Sequence, residues 1–157
     1  MIRPATPADA AAVVRIWHDA WHDAHDGHVP DGLVAARTRS SFEERVGAVV
    51  PRALVAEVDG EVAGFVTLRD DEIELLFVDA PHRGTGVAAA LLAAAEERGG
   101  CWLSVVTGNR RARRFYERQG YADAGPDEET VTVRGTAYVV VGRRYELQRI
   151  DRDGPGL

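Results

Sequence analysis

Residues 78–88 read VDAPHRGTGVA, and two glycines flanking a threonine form the kind of loop whose backbone amides can come close to a ligand. The alanine-rich run that follows starts a helix, where unpaired N–H groups and the helix dipole favour an anion, so a phosphate is expected at this joint. A second stretch with chemical potential is WHDAWHDAHDGH at 17–28, which carries four of the five histidines in the chain. On a helical wheel it separates into three stripes: Trp17, Trp21 and Ala24; His18, His22 and His25; Asp19, Asp23 and Asp26. His18 and His22 have the i, i+4 spacing of a helical zinc pair, with further ligands to come from His25, His28 or an aspartate, but no H-E-x-x-H supports them. The competing reading is a helix with tryptophans in the core, aspartates in water and histidines on the border, titrating near neutrality. That reading is preferred here, and no metal is expected.

The elements that must position these residues follow from periodicity and punctuation. Thr6, Pro7 and Asp9 read as a helix start, the Trp stripe continues the helix, and Gly27 stops it. SSFEERVGAVV at 40–50 repeats the capping logic with Ser40 and Glu43, closed by Pro51. Residues 53–80 read as three antiparallel strands, with Asp59-Gly60 the strongest hairpin signal. Then come a helix ending at Gly99-Gly100, the strand CWLSVVTG, a helix stopped by Gly120, and two strands around Arg134-Gly135. The expected class is α/β, an α+β arrangement with a central, mostly antiparallel mixed sheet flanked by helices, as one domain over 1–150 with a frayed tail at 151–157.

The chain has 157 residues and 45% hydrophobic content, the scale of a single buried core. Its net charge of -6 argues against a broad phosphate-backbone-binding surface, so nucleic acid is not an expected partner. All nineteen basic residues are arginine, which reads as coding bias more than chemistry. No apolar run approaches the ~20 residues of a membrane span, so a cytoplasmic protein without membrane partners is expected. The single Cys101 has no cysteine with which to form an internal disulfide.

Three phosphate-binding patterns compete for the loop. A Walker A loop needs a lysine that is absent, and the loose G-x-G-x-x-A of a dinucleotide fold lacks the acid that should end the next strand. The third pattern fits: Arg83, Gly86 and Ala88 fill [QR]-x-x-G-x-[GA] in order, and NRRARRFYERQGY at 109–121 fits N-x-x-A-x-x-F-Y-x-x-x-G-[FY]. With these two linked motifs the chain resembles the GNAT superfamily of acyl-CoA-dependent N-acetyltransferases. The element order resembles that family from Ile2 to about Gln148, although the motif-specific part is 72–121. One departure is Pro81, which stands one place later than the family's V-x-P, with Ala80 in its position.

The resemblance implies a GNAT-like fold, with about 6–7 strands, a splay in the sheet and about 4 helices. It implies acetyl-CoA as cosubstrate, its pyrophosphate held by N–H groups across Arg83, Gly84, Thr85, Gly86, Val87 and Ala88. Asn109 would bond the pantetheine arm, whose amides would pair with the strand end at Phe77, Val78 and Asp79, while Arg111 and Arg114 from the arginine cluster would face the phosphates. A solvated basic helix face is the alternative for those arginines. Tyr116 is the candidate acid, because a phenol of pKa ~10 can stabilise or protonate a thiolate of ~8.5 as it leaves. The attacking amine must lose a proton, and two-residue alternation puts Glu72 and Glu74 on one strand face with Leu76 and Val78. Either carboxylate could take it, and Glu74 is favoured as nearer the reacting end. The first two helices wall the acceptor pocket in the family, so Trp21, His22, His25 and His28 are expected to meet the substrate.

The expected activity is acetyl transfer to a primary amine of a small molecule or peptide, by direct attack in a ternary complex, from a monomer or homodimer. Two other classes stay open: a non-catalytic acyl-CoA-binding module, and a metal-binding protein using the stripe of His18, His22 and His25.

Overall fold

The computed structural model describes residues 1–148; the segment 151–157 lies outside the described residues. β1 (Ile2–Pro4) leads through a short turn at Pro7–Asp9 into α1 (Ala10–His25). Asp9 accepts from the Thr6 amide at 2.8 Å, and the Arg3 guanidinium forks onto both Asp9 oxygens at 2.8 and 3.0 Å. That fork holds the Asp9 carboxyl down to about 2. Trp17 and Trp21 are buried on α1, as the stripe predicts.

The next segment departs from the sequence expectation. A six-residue helix, α2 (Asp31–Ala36), precedes α3 (Arg39–Val49), and α3 is capped by Thr38, whose hydroxyl oxygen accepts from the Ser41 amide at 3.3 Å. Ser40 is already inside the helix. Thr38 caps because it is the last residue with extended backbone, at φ -74° and ψ 163°.

β2 (Ala53–Val58), β3 (Glu61–Arg69) and β4 (Glu72–Val78) form the antiparallel meander, turning at Asp59 and Gly60 with φ of 52° and 79°. α4 (Val87–Glu97), β5 (Trp102–Val106), α5 (Arg110–Arg118), β6 (Tyr121–Val133) and β7 (Thr136–Leu147) complete the order. The sheet runs β1-β2-β3-β4-β5-β7-β6 and is antiparallel at every junction except β4–β5. It is the expected mixed α/β architecture, with five α-helices among the described residues. One face packs Ile73, Leu103, Val105 and Tyr145 against Leu91, Leu92 and Ala95 of α4 and Phe115 of α5. The other packs Val55, Phe65 and Phe77 against Trp17, Leu33 and Phe42 of the first three helices.

Two irregularities shape the interior. In β4, Thr67 lies opposite Leu75 and Leu68 opposite Ile73, so Glu74 is an extra residue in a β-bulge. The bulge reverses the in–out parity. Ile73 therefore shares the α4 face with Leu76 and Val78, and Glu72 and Glu74 do not continue that face as simple alternation had them do. The second irregularity is the parallel junction: β4 and β5 meet through one pair, Glu72 opposite Trp102, and splay apart beyond it.

Candidate active site

A cavity of about 770 Å³ fills the splay and reaches both faces of the sheet. At one end it is lined by Arg83, Gly84, Gly86 and Ala88, with Asn109, Arg111 and Tyr116 beside them. Gly84 and Gly86 have φ of 76° and 89°, and Gly86 caps α4 from the left-handed region that a side chain disfavours. The amides of Gly84, Thr85 and Gly86 donate to no backbone acceptor among the described residues. Together with the first turn of α4 they form an anion cradle, which fits a pyrophosphate. Phe77 and Val78 line the cavity from β4, whose edge beyond Glu72 has no ladder partner on the β5 side.

Other residues of the expected coenzyme set take different parts. Asp79, Thr85, Val87 and Arg114 are outside the cavity lining. Asp79 pairs with Arg15 at 3.1 Å, the Thr85 hydroxyl donates to the His82 carbonyl, and Val87 is buried in the core. The Arg83 guanidinium reaches Asp23 of α1 at 2.8 Å, so its side chain faces the first helix while its backbone stays in the loop. Asn109 caps α5, its side-chain oxygen accepting from the Ala112 amide at 3.2 Å.

Tyr116 packs among aromatic rings, edge-on to Tyr121 at 6.0 Å and tilted against Tyr145 at 6.4 Å by ring centroids. Its hydroxyl has no hydrogen-bond partner among the described residues. Burial pushes the phenol above its ordinary pKa, so it holds its proton and can donate a hydrogen bond to a developing thiolate.

The opposite end lies on the α1 side, with Trp21 and His25, Leu33 and Arg37, Glu72 and Glu74, and Asp127 and Glu129 of β6 in its walls. Both candidate bases are there, in unlike states. Glu74 is held by Arg52 through one carboxylate oxygen and by Arg69 at 2.6 Å through the other. Glu72 has no ion pair or hydrogen bond among the described residues, and desolvation, with the neighbouring charge of Glu74, raises its carboxyl above the usual range.

The histidine stripe is dispersed. His18 bonds Asp19 at 2.8 Å; His22 lies 2.9 Å from Asp26 and donates from Nε2 to the Arg37 carbonyl at 2.7 Å. His28 packs on Gly108, where a Cβ would come within 2.2 Å of Nδ1. His22 and His28 are not in the cavity lining. His25 is: it stacks on Trp21 at 4.4 Å and donates from Nδ1 to the Trp21 carbonyl at 2.7 Å, leaving Nε2 as an acceptor. Its titration differs from the near-neutral expectation, since burial brings it down to about 4. Among the described residues no three His, Cys, Asp or Glu side chains come together in a way that could hold a metal ion.

Sequence reasoning missed Arg37, Asp127 and Glu129. A signal existed for the two acids: in DEETVTV, Asp127, Glu129 and Val131 alternate onto one face, and all three line the cavity.

Residues 12–121 match the acetyltransferase (GNAT) family. An uncharacterized N-acetyltransferase of Mycobacterium tuberculosis (strain ATCC 25618 / H37Rv) is 33% identical over 105 residues, 60% of this chain and 67% of that protein. Among solved structures, a GCN5-related N-acetyltransferase from Rhodopseudomonas palustris aligns with a TM-score of 0.71 at 24% identity, over 94% of this chain and 95% of that one. A putative acetyltransferase from Salmonella typhimurium, solved with acetyl-CoA, aligns at 0.59 and 20% identity over 99% and 98%. The fold is the one these N-acetyltransferases share. The chain belongs to the acetyltransferase (GNAT) family of acetyl-CoA-dependent N-acetyltransferases. No helix among the described residues is long and apolar enough to cross a membrane.

Proposed function

We propose that the protein moves the acetyl group of acetyl-CoA to a primary amine of a small molecule or peptide, by direct attack in a ternary complex. The observation that carries this reading is a single cavity joining the amides around Gly84 and Gly86, the Tyr116 phenol and the Glu72 carboxylate across the gap in the sheet. The loop amides hold the pyrophosphate, and the free edge of β4 aligns the pantetheine arm as a strand would.

An alkyl ammonium of pKa ~10.4 must shed a proton before it can attack, which costs about 4–5 kcal/mol at neutral pH. Glu72 takes that proton, directly or through water, because its carboxylate is unpartnered and partly desolvated; Glu74 is occupied by Arg52 and Arg69. The amine nitrogen then bonds the thioester carbonyl carbon, the C–S bond breaks with its electron pair on sulfur, and the nitrogen's remaining extra proton passes to that thiolate, which leaves as the free thiol. Tyr116 donates to the departing sulfur, and its raised pKa makes stabilisation by hydrogen bonding the larger part of that role.

The test is free-thiol release from acetyl-CoA over a panel of amines, with wild type and Tyr116→Phe in parallel. Acetyl-CoA-dependent release with some amines, strongly reduced in the variant, supports the reading. Tight coenzyme binding with no release for any amine would reduce the protein to an acyl-CoA-binding module.

A further inference from the structure

Arg37 differs from the other arginines around the acceptor end. Arg52 and Arg69 grip Glu74, and Arg45 lies over the Trp17 ring at 4.5 Å. Arg37 lines the cavity, yet its guanidinium makes no hydrogen bond or ion pair among the described residues, and its Nε is fully buried without a partner. Its backbone is fixed from both sides. The Arg37 amide donates to the Leu33 and Val34 carbonyls at 3.1 and 3.3 Å, and its own carbonyl accepts from His22 at 2.7 Å. A guanidinium desolvated without a counter-charge is unfavourable, and a well-anchored one facing a cavity is ready for an anion from outside the chain.

The charges around it narrow the ligand. Glu129 is the acid whose charge acts on Arg37, but no ion pair joins them among the described residues. Asp127 and Glu129 act on Glu72 from β6, Glu74 is already paired with two arginines, and His25 brings no charge at neutral pH. The acceptor end thus has a carboxylate wall for an ammonium and, in Arg37, a guanidinium that is unpaired among the described residues. A simple polycation would leave Arg37 unpaired and add to the positive charge beside it.

We propose that Arg37 is an anion-recognition residue and that the acceptor is a dipolar amine, carrying a carboxylate on the same small molecule as its amino group, as an amino acid does. This rests on the acetyl-transfer reading for the identity of the amine, but not for its binding. Arg37 presents a planar fork that matches a carboxylate with two parallel hydrogen bonds, which lysine cannot do.

The experiment is calorimetry on the full chain saturated with coenzyme A, titrated with the standard L-amino acids, their carboxamides, and 1,4-diaminobutane. At least one amino acid is expected to bind about tenfold or more tighter than its carboxamide and than the diamine, as a charge-assisted pair should. Arg37→Gln should shrink that ratio below about twofold, and Arg37→Lys should keep an intermediate ratio. Coenzyme binding by each variant checks its folding; should the glutamine variant not fold, the lysine variant decides. Equal or tighter binding of carboxamides, preference for the diamine, a preference that survives in the variants, or no binding of any amino acid overturns the proposal. Thiol release, followed separately, judges acetyl transfer: an Arg37-dependent preference without release keeps this inference and removes that reading, whereas release from acids and amides alike does the reverse.

Discussion

The two ends of the cavity are built by different means. The proposed coenzyme end is mostly main chain, with glycines at positive φ, loop amides that donate to no backbone acceptor among the described residues and the unpaired edge of β4, and α5 adds side chains beside them. The acceptor end is made of side chains delivered by α1, the end of α2, β4 and β6, which are distant in sequence. Backbone recognition tolerates side-chain change but not backbone change. Recognition by assembled side chains has the opposite sensitivities, and it is where relatives of one fold can diverge in what they accept.

The largest effect should come from the phenol beside the glycine loop. Tyr116→Phe is expected to lower kcat by about 10²-fold or more with little change in thermal midpoint, because the phenol has no hydrogen bond to lose; steady-state kinetics and a melt give both numbers. A variant as active as wild type would remove Tyr116 from the chemistry.

Next is the pair of acids. Glu72→Gln should lower kcat/KM about 10–100-fold at neutral pH, and the deficit should narrow at alkaline pH as the amine loses its proton unaided. Glu74→Gln should cost less than about tenfold, since that carboxylate is engaged by two arginines. The reverse ranking would return the base role to Glu74.

A smaller contrast tests the main-chain character of the coenzyme end. Gly86→Val forces a branched side chain onto φ 89° and should weaken coenzyme binding about tenfold. Arg83→Ala should change it less than about threefold, because that side chain is paired with Asp23. Equal effects would mean that the loop works through its arginine after all.

The last effect falls on stability and leaves the rate alone. His25 is neutral in the fold down to about 4, whereas unfolded it takes up a proton near 6.5. Because the unfolded state binds the extra proton, the stability linked to His25 is intact above about pH 6.5 and declines as pH falls toward 4. The decline is on the order of 3 kcal/mol at most. His25→Gln should flatten that part of the curve in denaturant melts across the range; an unchanged slope would show that the imidazole is hydrated.

Sequence legibility follows the same division. The Thr6–Asp9 start of α1, the Asp59–Gly60 hairpin, the Trp stripe and the glycine loop were readable because neighbouring residues alone decide them. The bulge at Glu74 was not, since an extra residue in β4 is defined by its register against β3, and it overturned the expected alternation of Glu72 and Glu74. The six residues of α2 are too few for a periodic signal, and Thr38 took the cap from Ser40 for a reason written in the backbone. Arg37 was invisible as a candidate because an arginine is unusual only once its surroundings fail to answer it.

The gap in the sheet has a further consequence. A sheet joined at its middle by a single residue pair leaves part of its folding free energy to whatever occupies the space between β4 and β5. A coenzyme present at a hundredfold excess over its Kd would add about 2.7 kcal/mol to the folded state. The resistance of the chain to proteolysis should therefore rise with coenzyme concentration, a dependence set by the empty space in the sheet and not by any contact added to its surface.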